Sequence, residues 1–321
     1  MNTYFSNRNL FLTAIISILV LLAACGDNNT PSEQESETES TEEPSEIVID
    51  SAMGEVTIPA GAKKILAPFH EDALLALGVT PVAKWAIGEM LQYHLESELE
   101  ELPKIEWNMP LEQVLSYEPD LIILENSMDS YEGTYDDYNK IAPTYVMTEE
   151  TTGDWRKQIE VFSKLLGKEE AAEKALNDYE EKVASASEEI KNVIGDETVA
   201  AMWVTGDQFF LFEKNRHTAD MFYGELGINY PKLVEELGDA EVQWNPISIE
   251  KLSELDADHV FLLAEEGEQG IETLENSSVW QSTSAVENGN VYILNDTSSW
   301  TNTGLIASEL TIDAMLNTLV K

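Results

Sequence analysis

A single cysteine, Cys25, in 321 residues excludes a disulfide within the chain and any CxxC-type metal or redox site. Arginine is nearly as scarce, since beyond Arg8 only Arg156 and Arg216 occur. Lysine and arginine number 18 against 61 aspartates and glutamates, a formal net charge of -43. Nucleic acid and anionic lipid headgroups are therefore poor partners, and most of the acidic excess serves as a solvated surface. The GxSxG elbow, a Walker-type glycine loop and HExxH are absent. With acids this dense, pairs such as Glu71-Asp72, Glu149-Glu150 and Glu265-Glu266 carry no general acid/base signal, so a surface hydrolase is the weaker reading and no enzyme is expected. His70, His94, His217 and His259 suffice in number for a zinc or manganese site. None is closely spaced with another, and His259 opens a buried-looking strand, so the protein is expected to supply no metal ligand or cofactor of its own.

The one long apolar run lies at the N-terminus. Arg8 precedes Leu10 to Leu22, and the run closes on Leu22-Ala23-Ala24-Cys25. A charged start, a short apolar core and a small-residue exit describe a secretory signal over residues 1–24, too short for a membrane span. Leu-Ala-Ala-Cys also resembles the bacterial lipobox, which makes Cys25 the lipidation site. Residues 25–46 are Ser, Thr, Glu, Pro and Asn with almost nothing to bury, the composition of a disordered acidic tether. The remaining chain, roughly 275 residues, suits two lobes.

What is present is a repeat. Residues 111–124 return without a gap as residues 249–262. In each copy a glutamate (Glu112, Glu250) opens a short amphipathic helix, an aspartate (Asp120, Asp258) follows eight positions later, and an apolar strand comes next. The aspartates suit turns or caps. Around this unit the pattern predicts strands at 46–49, 55–58, 64–67 and 82–85, a helix at 72–77, a Tyr- and Asp-rich stretch at 129–139 and a strand at 144–147. Residues 154–166 are amphipathic, and after Gly167 the segment 169–193 is rich in Ala, Glu and Lys without Pro or Gly, a helix of roughly 37 Å. Beyond it come strands at 198–204 and 209–212, a helix at 219–226, the second copy, a strand at 291–294 and a helix after Leu305. The fold class is α/β: two Rossmann-like lobes with mostly parallel sheets, N-terminal over 47–153 and C-terminal over 195–321, joined by one long backbone helix within 154–194. A rod of this kind permits only small rotations between the lobes.

The lipobox, the tether, residues 65–78 (Ile-Leu-Ala-Pro-Phe-His-Glu-Asp-Ala-Leu-Leu-Ala-Leu-Gly), residues 110–124 and the single backbone helix together resemble the substrate-binding lipoproteins of ABC importers. More narrowly, they resemble the helical-backbone (class III) group that captures ferric siderophores, haem or cobalamin. The resemblance implies a monomeric receptor on the outer face of the cell membrane, holding its ligand between the lobes and delivering it to permease subunits and their ATPase. It implies that Glu112 and Glu250 meet permease arginines, through charge-assisted bonds. The bland alternative is that a Glu in a first helical turn is favoured by the helix dipole alone. It also implies a cleft drawn from strand ends and the loops after them, here Phe69, His70, Trp85, Trp107, Trp203, Arg216, Tyr230, Trp244 and Trp300. Of these Trp203 has a core alternative, and Arg216 is a ligand contact or a surface ion pair. Trp155 and Trp280 are packing residues. A tris-catecholate or citrate-type ferric complex is highly negative and calls for several cleft cations. Two arginines favour a hydroxamate complex, buried against aromatics with one or two donors. Iron then arrives inside the siderophore.

Overall fold

The computed structural model describes residues 46–88 and 91–320; the signal segment, Cys25 and the tether as far as Ser45 lie outside the described residues. An N-terminal hairpin pairs β1 (Glu46–Ser51) with β2 (Gly54–Pro59). Its turn is closed by Ser51, whose Oγ donates to the Gly54 carbonyl, and Gly54 takes φ 91°, a left-handed value that favours glycine. The N-terminal lobe follows with β3 (Ile65–Leu66), β4 (Lys84–Ala86), β5 (Lys104–Glu106), β6 (Leu121–Leu124) and β7 (Thr144–Val146). These form a parallel sheet in the order β3-β6-β7 and a separate parallel pair β4-β5.

Strand alternation explains how the sheet is buried on both faces. Ile65, Leu121, Ile123 and Tyr145 point into the main core, whereas Leu66, Ile122, Leu124 and Val146 fill a second core beneath the helix Leu111–Tyr117. The C-terminal lobe holds β8 (Val199–Thr205), β9 (Gln208–Leu211), β10 (His259–Leu263) and β11 (Val291–Leu294) in the order β11-β10-β8-β9. Only its edge strand β9 runs antiparallel.

Between the sheets run the helices Trp155–Leu166 and Glu169–Ile194. Asp154 caps the first through the amides of Arg156 and Lys157; Gly167 ends it at φ 62°, and the Lys168 amide returns to the Ser163 carbonyl. The second has 26 residues, about 39 Å at 1.5 Å per residue. It lies along the C-terminal helix Leu305–Leu319, with a Lys182–Asp313 ion pair of 2.8 Å between them. The main core is continuous from the N-terminal sheet through Ile159, Phe162 and Tyr179 to the C-terminal sheet.

Two local expectations need correction. The Tyr- and Asp-rich stretch contains a helix, Tyr135–Ile141, started by a reciprocal Thr134/Asp137 capping box. The helix expected at 219–226 is one short turn, Thr218–Asp220, that widens into a π-helical turn at Met221–Glu225. Such widened turns occur disproportionately at functional sites.

Candidate functional site

In open parallel α/β sheets the ligand crevice lies beyond the carboxyl ends of the strands. At that edge of the N-terminal lobe the chain leaves β3 through Phe69, which holds φ 67° and is 37% exposed. Its ring meets that of Trp85 at 5.1 Å, and the Trp85 indole N–H donates to the Trp107 carbonyl at 3.1 Å. Phe69 and Trp85 thus make one aromatic wall, to which the half-exposed Trp107 is joined through its backbone carbonyl. His70 stands behind the wall. It is buried, with Nδ1 3.2 Å from Gln158 Oε1 and Nε2 3.3 Å from Glu125 Oε1 at the end of β6. The His70 ring holds the Glu125 carboxyl below the usual carboxylate range. Glu71 is fully buried and accepts from the Trp85 amide at 2.7 Å and Gln92 Nε2 at 2.6 Å. Burial outweighs both bonds and pushes its carboxyl up to about 7.

A second aromatic wall belongs to the C-terminal lobe. Trp244 packs against Trp203, Phe210, Phe212 and His217, with ring centroids 5.0 to 5.9 Å apart. His217 sits at φ 48° immediately before the turn at 218, and its Nδ1 lies 3.4 Å from Thr303 Oγ1. Burial and the adjacent Arg216 charge push the His217 imidazole down to about 4, so it is neutral at physiological pH. Like Phe69, it is a non-glycine residue in left-handed backbone at the cleft edge, where strain and function tend to coincide.

Three sequence-derived candidates belong elsewhere. Arg216 is neither on the open wall nor in a surface pair. It is 4% exposed, forked onto Glu213 at 2.8 and 2.9 Å, bonded to the Glu241 and Gln243 carbonyls, and stacked 4.5 Å from the Trp244 ring. Burial pulls the Glu213 carboxyl upward, but the Arg216 bonds and charge prevail and hold it below its usual range. Trp300, 1% exposed, is a core residue against Phe222 and Phe261. Tyr230 packs on Tyr223 beside Asn229, which bridges Thr198 at the start of β8. That is the opposite end of the sheet from the crevice.

The walls meet at a seam that sequence reasoning did not find. Asp72 is buried and accepts from the Ile306 and Ala307 amides at 3.1 and 3.0 Å, capping the C-terminal helix from the other lobe. Gly304 abuts it so closely that a Cβ would lie 2.3 Å from the Asp72 carboxyl carbon. His94 adds a second tie, with Nδ1 2.8 Å from Ser298 Oγ and Nε2 3.5 Å from Asp72. An Asp-His-Ser chain invites comparison with a nucleophilic triad. Ser298 is only 4% exposed, and its Oγ also accepts from the His94 amide, so the set is a joint with no face for a substrate. Phe69 lies three residues from Asp72, and Thr303, bonded to His217, adjoins Gly304. Both aromatic walls therefore border one seam. A cavity of about 340 Å³ flanks it, lined among others by Trp155, Arg156, His217, Glu225 and Thr303. Arg156 there is bonded to Glu225 at 2.7 Å and covers the Trp155 ring at 4.1 Å.

The repeat resolves into two functions. Asp120 accepts from the Lys63 and Lys64 amides at the entry to β3, and Asp258 accepts from the Thr198 amide at the entry to β8. Each clamps the neighbouring strand of its own lobe. Glu112 and Glu250 are both exposed in the first turns of Leu111–Tyr117 and Ile249–Leu252, and neither carboxylate has a partner among the described residues. These helices return toward β6 and β10, so both glutamates stand at the crevice edge of their lobes. The four histidines go to four different places, His259 binding Glu197 and Tyr292 at the start of β10. Among the described residues no group of three or more His, Cys, Asp or Glu is placed to hold a metal ion. None of their helices is long and apolar enough to cross a membrane.

The periplasmic binding protein family pattern matches residues 65–297. The iron(3+)-hydroxamate-binding protein YxeB of Bacillus subtilis is 26% identical over 98% of this chain and 97% of its own length. The iron(3+)-hydroxamate-binding protein FhuD of the same organism is 28% identical over 86% of both. A solved FhuD fold-family periplasmic binding protein, component of a Fep/Fec-like ferrichrome ABC transporter from Bacillus subtilis, aligns with a TM-score of 0.70 at 26% identity, covering 85% of this chain and 100% of that one.

Proposed function

The chain belongs to the periplasmic binding protein family, and from that premise we propose that it is an extracytoplasmic receptor for a ferric siderophore of the hydroxamate class, delivering it to an ABC permease for iron uptake. The carrying observation is the fate of the two arginines. Arg216 is closed in a buried fork with Glu213, and Arg156 is bonded to Glu225. A triply negative catecholate or citrate-type complex needs cationic donors free to turn toward it. Here the walls offer Phe69, Trp85, Trp107, Trp244 and the neutral ring of His217, which suit a bulky chelate of low charge. The names of the relatives YxeB and FhuD support the same class.

The siderophore brings iron already coordinated, so the protein binds the outer surface of the chelate and transforms nothing. Glu112 and Glu250, exposed and unpartnered on the two lobes, are the contacts for permease arginines. Cys25 carries the lipid that holds the receptor to the outer face of the cell membrane, and the receptor acts as a monomer there. The test is a tryptophan-fluorescence titration of the form that begins after Cys25, with a ferric trihydroxamate, a ferric catecholate, ferric citrate, haem, cobalamin and zinc. Saturable submicromolar quenching by the trihydroxamate is the expected result. Preference for the catecholate or citrate would overturn the charge argument, and silence toward every chelate would overturn the receptor reading.

A further inference from the structure

At its β9 edge the C-terminal sheet is joined by the returning chain, whose Ile247 amide donates to the Phe209 carbonyl at 2.8 Å. At its other edge, β11, no strand joins it among the described residues. The Asn290 and Leu294 carbonyls accept from the Val260 and Ala264 amides on the β10 side, so by alternation the amide and carbonyl of Val291 and of Ile293 point outward. Open edges are commonly guarded by a charge or a proline on the strand itself. Val291-Tyr292-Ile293-Leu294 carries neither, and Ile293 is 52% exposed.

The surface beside this edge is both hollowed and charged. Val291 and Ile293 share a sheet face with their register partners Val260 and Leu262. On that face a hollow of about 210 Å³ opens between Leu262, Leu274, Trp280, Val286, Val291 and Ile293. A second, of about 500 Å³, lies beyond Ile293 toward Glu265, Glu266 and Glu272, and Ile271, Glu275 and Ile293 border both. The helix between them, Gln269–Glu275, is fixed in place: the Gly270 amide donates to the Gly206 carbonyl at 2.7 Å, and a Cβ at Gly270 would lie 2.5 Å from Val204 Cγ1. Residues 252–320 contain no lysine or arginine. Glu265, Glu266, Glu272 and Glu275 are exposed around the hollows, and among the described residues none of their carboxylates has a cationic partner.

We propose that the β11 edge is a docking site for an extended cationic segment of another protein, which adds to the C-terminal sheet as a further strand. Its backbone pairs with the outward groups of Val291 and Ile293, its apolar side chains enter the two hollows, and its lysines or arginines reach the four unpaired carboxylates. A second copy of this chain is a poor occupant, because it would set the same carboxylates against their own kind and each chain carries a net charge of -43. The acidic rim thus closes the edge to like chains and opens it to a cation. Occupation of this edge requires neither a chelate in the crevice nor the glutamates Glu112 and Glu250.

The test is a fluorescence-anisotropy titration of the form that begins after Cys25 with a short fluorescein-labelled peptide of alternating lysine and valine. Saturable one-to-one binding that weakens as salt is added is the expected result. The same peptide N-methylated along its backbone keeps its charge and side chains but cannot donate to a sheet edge, and should bind about tenfold more weakly. Hydrogen exchange at the Val291 and Ile293 amides should slow when the unmethylated peptide is bound. Ile293→Lys, a change at an exposed position, should abolish binding, and the double change Glu272→Gln with Glu275→Gln should weaken it and flatten its salt dependence. Parent-like affinity for the N-methylated peptide would reduce the site to ion attraction, and unchanged exchange at Val291 and Ile293 would place the peptide elsewhere. Absence of saturable binding would leave the carboxylates as guards of the edge, and dimerisation of the chain alone, abolished by Ile293→Lys, would assign the edge to a second copy. Each of these four results overturns the docking site.

Discussion

Glu71→Gln is the perturbation whose size follows most directly from the structure. The Glu71 carboxyl is fully buried and raised from 4.5 to about 7, with burial the largest cause. A shift of roughly 2.5 units corresponds to about 3 kcal/mol. The folded value lies above the unfolded one, so the unfolded chain gives up this proton first. The group's contribution is fully present below pH 4.5 and is lost as pH rises through 7. Glutamine is never charged, and it can keep both contacts if the Gln92 amide rotates to accept from its new NH2. The variant should match the parent near pH 4.5 and exceed it by about 2 to 3 kcal/mol at pH 8, a rise in Tm of several degrees for a chain of this size. Urea unfolding followed by tryptophan fluorescence at both pH values measures it. Other carboxylates titrate over the same range, so the informative quantity is the variant-minus-parent difference. A difference independent of pH would refute the reasoning, and equal destabilisation at both values would show that the ionised carboxylate is the native form.

Arg216→Ala should destabilise the fold by about 3 to 5 kcal/mol, because it strands the Glu213 carboxylate in a buried site; denaturation measures this, and a loss of ligand affinity with unchanged stability would return Arg216 to the cleft. Glu112→Ala and Glu250→Ala should leave chelate affinity within twofold while lowering iron uptake by cells, the double change most; affinity loss in either single variant would contradict docking. Gly304→Ala drives a methyl into the Asp72 carboxylate and should lower Tm by several degrees, and a neutral outcome would mean the seam opens at little expense. Acidification should protonate His217 only below about pH 5. Its folded value of about 4 lies under the unfolded 6.5, so its stabilising contribution is whole above pH 6.5 and fades toward pH 4. Replacement by Gln should flatten that limb of the stability profile.

Much of the fold was legible because its signals are local. The runs at 121–124 and 259–263 could be buried strands from composition alone, and the long helix announced itself by twenty-five residues without Pro or Gly. The repeat located Glu112 and Glu250 by register. What failed depended on partners remote in sequence. Arg216 stood open between a ligand contact and a surface ion pair because, although Glu213 lies only three residues back, nothing nearby in the chain shows that the carbonyls at 241 and 243 return to bury it under Trp244. Trp300 looked like a pocket residue because it follows a strand end, yet Phe222 and Phe261 enclose it. Asp72 passed as one more acid in an acidic chain. Its role depends on a helix that begins more than 230 residues later, and the one local clue was Gly304 just before that helix.

The duplicated and unduplicated parts divide the work of the receptor. The strand clamps Asp120 and Asp258 and the exposed glutamates Glu112 and Glu250 come in pairs. On the receptor reading proposed above, two related permease subunits would each require the same chemistry from the lobe they meet, which such pairs supply. The seam is the reverse. Asp72 and His94 come from one lobe only, Ile306, Ala307 and Ser298 from the other, and no counterpart of this joint exists in the repeat. Two ties, a 26-residue helix and a continuous apolar core hold the lobes together, so the motion expected between them is a small rotation about the seam. Such a hinge moves distant points most, so the rim residues Glu112 and Glu250 register a small closure that the seam scarcely feels. Loosening the seam by Asp72→Asn should therefore broaden the spacing of Glu112 and Glu250 in the empty receptor more than in the loaded one, and equal broadening in both states would mean that the chelate does not bridge the walls.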